Sequence, residues 1–102
     1  MKIPKKIRIG GQELEIVFKP DLEGDLGKCC VATGLIRIAE KFDGLEQSKS
    51  SMENTYWHEV THAILDTMGR GDLSRDEVFV CSFAGFLTEC IHSMEESYKN
   101  EE

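Results

Sequence analysis

Leu14, Ile16 and Phe18 alternate with Glu13, Glu15, Val17 and Lys19. A period of two puts alternate side chains on opposite faces, so this run predicts a strand with one buried face. Ile7 and Ile9 alternate with charged neighbours just upstream, and Gly10-Gly11 offers a tight turn between the two runs. Together they predict a hairpin. Pro20 to Gly27 is rich in Gly and Asp and reads as a loop. Cys29 to Val31 and Leu35 to Ala39 form a second hairpin candidate around Thr33-Gly34.

Farther along, the period becomes helical. Trp57, Val60, Ile64, Leu65 and Met68 recur at helical spacing. Ser50-x-x-Glu53 predicts a capping-box start for this helix, and Gly69 predicts its stop. Arg70 to Leu73 reads as a short connection. Ser74-x-x-Glu77 predicts a second capping-box start, followed by a buried stripe of Val80, Phe83, Ala84, Leu87 and Ile91. This helix is expected to fray near Ser97. The expected fold is α+β: a small N-terminal antiparallel sheet, then an active-site helix and a second packed helix. It forms one domain over residues 1–102, with a β-rich half (1–40), a two-helix half (48–98) and an acidic tail (95–102).

With 102 residues, the chain has room for one modest core, so any active site must sit on the core elements themselves. Twelve Lys and Arg oppose nineteen Asp and Glu, a formal net charge of -7. Phosphate backbones are bound by positive surface, so no nucleic-acid partner is expected. Lys2, Lys5, Lys6 and Arg8 read as a solvated strand edge. No apolar run follows the first residues and none approaches a membrane span, so the expected setting is cytoplasmic, without a membrane partner. Cys29, Cys30, Cys81 and Cys90 include no C-x-x-C pair and are expected to be buried, reduced thiols. Arg70-Gly71-Asp72 reads as loop chemistry rather than as an adhesion tripeptide.

The chemistry concentrates in His58-Glu59-Val60-Thr61-His62, an H-E-x-x-H pattern well inside the first helix. Residues four apart share a helical face, so the two imidazoles can converge on one tetrahedral Zn²⁺. Glu59 lies about 100° round the helix, within reach of a water on the metal. Zinc lowers that water's pKa, and Glu59 can take its proton as general base. A catalytic zinc needs a third protein ligand and one open position. Asp66 continues the row, but His58, His62 and Asp66 span about 12 Å at 1.5 Å per residue. Asp66 is therefore read either as a hydrogen-bond partner for an imidazole N–H or as a solvated helix residue. Glu77 can be the third ligand or the capping partner of Ser74. Strictly antiparallel helices would leave Glu77 about two turns from the zinc, so the helices must cross at an angle or the Arg70–Leu73 loop must climb.

These residues resemble the minimal gluzincin metallopeptidases of the ImmA/IrrE kind, particularly short phage and prophage members. The resemblance rests on His58-Glu59-Val60-Thr61-His62-Ala63-Ile64, Gly69 and Glu77-x-x-Val80-x-x-Phe83-Ala84-x-x-Leu87. It covers residues 55 to 90; the usual extra N-terminal helix of that family is absent. The resemblance implies a minimal zincin-like fold, zinc held by His58, His62 and Glu77, and Glu59 as base. It also implies a protein or peptide substrate, in relatives a regulatory protein. His92 and Tyr98 are candidate electrophiles for the oxyanion, and a strand edge near Leu35 to Ala39 is a candidate substrate ledge. The competing expectation is a zinc-stabilised interaction module that binds a regulatory protein without cutting it, with Cys81 as fourth ligand.

Overall fold

The computed structural model describes residues 1–101. It is α+β, with a four-stranded sheet followed by helices. Strands β1 (Lys6–Ile9) and β2 (Gln12–Lys19) form the first hairpin, with Ile7 opposite Leu14. After the loop come β3 (Gly27–Cys30), a 3₁₀ turn at Val31–Thr33, and β4 (Leu35–Ala39). Gly34 takes φ 69°, the left-handed conformation that closes this second hairpin. A further small hairpin, β5 (Lys41–Phe42) and β6 (Leu45–Glu46), precedes the helices.

The sheet is mixed, where the sequence led us to expect antiparallel pairing throughout. Its order is β1-β2-β4-β3, and β2 pairs parallel with β4. β3 reverses the chain and β4 reverses it again, so β4 runs in the direction of β2. β4 carries the most apolar strand: Ile36, Ile38 and Ala39 are fully buried. A strand buried on this scale takes the centre, and β3 is left at the edge.

Helix α1 (Lys49–Thr67) covers one face of this sheet. Tyr56, Val60 and Ala63 recur at i, i+4 and i+7 and pack on Leu14, Ile16, Ile36 and Ile38. Each large aliphatic side chain buried there contributes about 1.5–3 kcal/mol. Ile64 and Met68, expected inside, lie on an exposed flank instead. The helix starts two residues earlier than its capping-box signal. Ser48 is the cap, its Oγ accepting from the Ser51 N–H at 3.1 Å. Gly69, at φ 77°, ends the helical segment as the sequence predicts.

The expected loop at Arg70 is a one-turn helix, α2 (Gly71–Ser74). Arg70 holds Asp72 in a bidentate ion pair, which accounts for the Arg-Gly-Asp run. Helix α3 (Glu77–Glu101) then packs on α1 through Val80, Ala84 and Thr88. Phe83, expected in the buried stripe, is 48% exposed, because the small residues Ala84 and Thr88 form the seam. α3 passes Ser97 without fraying and continues through most of the acidic tail; residue 102 lies outside the described residues. Among the described residues, no helix is long and apolar enough to cross a membrane.

Candidate metal centre

The face of α1 opposite the sheet carries His58 and His62. Their Nε2 atoms are 3.3 Å apart. Glu77, the first residue of α3, reaches both: Oε2 lies 3.5 Å from His58 Nε2, and Oε1 lies 3.4 Å from His62 Nε2. Among the described residues this is the one group of three or more His, Cys, Asp or Glu side chains able to hold a metal ion. The fit can be checked by geometry. Ligand atoms about 2.0–2.1 Å from a tetrahedral zinc stand about 3.3–3.4 Å from each other. Each pair of side chains has donor atoms at about that spacing, with Glu77 turning a different carboxylate oxygen to each ring, and two imidazoles with one carboxylate suit zinc.

Two helices supply this triangle, and α2 sets its height. The turn of α2 lifts the chain alongside α1, so α3 begins level with His58 and His62 instead of at the foot of α1. Ser74 takes no part in a capping box. It is buried in α2, and its Oγ lies 3.0 Å from His62 Nδ1. Asp76 caps α3 in its place, accepting from the Phe79 N–H at 3.1 Å. Glu77 is thereby relieved of the capping role that the sequence left open.

Ser74 thus fills the place considered for Asp66, which is exposed near the end of α1. A hydroxyl on Nδ1 fixes the ring's orientation and directs Nε2 to the metal position. Nδ1 of His58 has the Cys81 thiol at 3.8 Å. Cys81 therefore sits behind the His58 ring, not at a fourth ligand position. Against expectation, Cys81 at the cleft wall and Cys90 on the outer flank of α3 are exposed, and Cys29 and Cys30 are only half-buried.

Glu59 points from α1 toward the edge strand. It is 6% exposed, and burial, reinforced by the charges of Glu77 and Asp25, raises its pKa to about 7. His58 is shifted down by burial and by His62, with Glu77 opposing. A neutral imidazole is the form that ligates a metal. Gly27 of β3 makes the close approach possible: a Cβ there would lie 2.6 Å from Thr55 Cγ2 and 3.0 Å from Glu59 Cγ.

The four groups open into a cleft of about 580 Å³. Its floor is α1, one wall is Glu77 and Cys81, and the other is the Gly24–Gly27 loop with Phe42. Nothing in the sequence signals that Asp25 and Gly27 line the site, and Ser74 reads there as a helix cap, since loop and connection residues carry no periodicity that aims them at α1. The two candidate electrophiles are not brought here. His92 is engaged with Glu53 of α1, and Tyr98 is 60% exposed farther along α3. Their helix runs away from the site, leaving His92 about 22 Å beyond Glu77 at 1.5 Å per residue. The candidate ledge also moves: Leu35 to Ala39 is central in the sheet, and β3 is the edge beside the cleft.

Comparison with protein-family models, with curated proteins and with solved structures finds no match for this chain.

Proposed function

We propose that this protein is a zinc-dependent peptidase, a minimal gluzincin of the kind its motif resembles. The observation that carries the reading is the clustering of His58, His62 and Glu77 beside a buried Glu59. Bound there, zinc would polarise a scissile carbonyl and acidify a water. The chain's own groups do the rest. His58 and His62 hold the metal as neutral rings, oriented by Cys81 and Ser74. Glu59, with a pKa near neutrality, takes the water proton and delivers it to the leaving amine. The unpaired edge of β3 lines up an extended peptide by backbone hydrogen bonds, a role open to any exposed strand edge. A protein or peptide is therefore the proposed substrate. The four free thiols fit a reducing, cytoplasmic setting.

The interaction-module alternative needs a fourth protein ligand and no base. Cys81 behind the His58 ring and Glu59 buried at the cleft both favour the enzyme.

The test uses zinc-loaded protein and an unfolded protein such as reduced casein. Glu59→Gln should keep one zinc per chain and lose at least a hundred-fold in hydrolysis. Glu77→Ala should lose the zinc. Full hydrolysis by Glu59→Gln removes the base assignment, and unchanged zinc affinity in Glu77→Ala removes the ligand assignment.

A further inference from the structure

Helix α3 is long and poorly covered. Of its 25 residues only Val80, Ala84 and Thr88 are buried. At about 100° per residue, Phe79, Phe83, Phe86, Cys90 and Met94 fall within an arc of about 80° on one flank. Phe79 and Phe83 stack with ring centroids 6.0 Å apart. Phe83, Phe86 and Met94 are 48%, 69% and 49% exposed. With bulky side chains of 150–250 Å², they and their neighbours leave an apolar strip on the order of 400 Å² open to water. That is within the range of the largest apolar patch on a typical monomer, which is often functional, and its i, i+4, i+7, i+11 spacing is the pattern by which one helix face meets another.

The charges around the strip are mostly negative. Glu89 and Glu96 border it along one side, and Asp76 and Glu101 stand at its two ends, against Arg75 alone. The strip itself carries no charge. Metal ligand Glu77 lies on the nearly opposite flank of α3, so an occupant of the strip leaves the cleft free. A second copy of this acidic chain would bring like charges together at the same border.

We infer that this flank of α3 is a docking surface for a basic amphipathic helix of a partner protein. The partner's apolar face covers Phe83, Phe86 and Met94, and its Lys and Arg residues meet Glu89 and Glu96. The inference goes beyond the peptidase reading and does not depend on the metal.

The probes are two 18-residue helical peptides of identical apolar face, one with lysines and one with glutamates on the polar face. Binding is measured by fluorescence anisotropy on the full chain, with sedimentation velocity in parallel. The lysine peptide should bind and the glutamate peptide should not, and binding should weaken as salt rises. Phe86→Glu and Met94→Glu should each weaken the lysine peptide at least ten-fold while leaving zinc content and thermal unfolding unchanged; both positions are exposed, so the fold tolerates them. This direction is diagnostic, because each variant adds negative charge and would tighten a purely electrostatic attachment. Equal or tighter binding by Phe86→Glu overturns the proposal, as does equal binding of the glutamate peptide. A wild-type dimer that Phe86→Glu dissociates overturns it in favour of a second copy.

Discussion

As the proposed base, Glu59 holds two opposing requirements in one side chain. Its burial favours the protonated form, yet a base must be free to accept a proton. In the metal-free protein its pKa of about 7 lies above the ordinary value of 4.5, so the folded state binds the extra proton. The cost of ionising it is absent below about pH 4.5, grows between pH 4.5 and 7, and is complete above pH 7. Glu59→Gln removes the charge and should stabilise the metal-free protein by up to about 3 kcal/mol at pH 8, and by little at pH 4.5. Thermal unfolding of both proteins across this range checks it; parallel curves would show that Glu59 is not the source. Ser74 acts through His62. Ser74→Ala leaves the ring's Nδ1 without its partner, so zinc affinity should fall about ten-fold or more. Competition with a chromophoric chelator reads this directly, and an unchanged affinity would return Ser74 to a packing role.

Elements determine how closely Glu59 approaches the sheet edge. β3 lies against α1 only because Gly27 has no side chain. Gly27→Ala would press a methyl onto Thr55 and Glu59, with Arg37 backbone oxygen 3.2 Å away on the other side. Overpacking of this kind costs about 1–3 kcal/mol, and relief would come by tilting β3 off the helix. The expected result is a lower unfolding midpoint together with a loss of hydrolysis out of proportion to it. A variant as stable and active as the parent would mean that the strand edge plays no part. The strand and helix positions themselves were legible from periodicity. Strand partners were not. Nothing in the alternation of Leu14, Ile16 and Phe18 distinguishes a β1–β2–β3–β4 meander from the observed insertion of β4 between β2 and β3.

At the scale of the molecule, the three donors of the proposed metal site are divided between the two long helices. α1 contributes two and α3 one, so a metal bound between them resists their separation. Ligand binding to the folded state stabilises it by RT ln(1 + [L]/Kd), about 4 kcal/mol at a thousand-fold excess over Kd. Adding zinc to chelator-treated protein should therefore raise the unfolding temperature by several degrees, by differential scanning calorimetry. Glu77→Ala should abolish most of the rise. A rise undiminished in that variant would place the metal elsewhere.

The sequence by itself determined the helical face of His58 and His62, the offset of Glu59, the capping glycine and the two hairpins. All of these follow from local periodicity and turn chemistry, which act within a few residues along the chain. Only tertiary structure decided that β4 is central, that Ser74 serves His62 and Asp76 caps α3, and that Glu77 stands level with the histidines. It also turned His92 toward Glu53, away from the cleft. Each of these depends on where one element lies against another. That placement is set by which faces can be buried together, and no short window of residues contains that information.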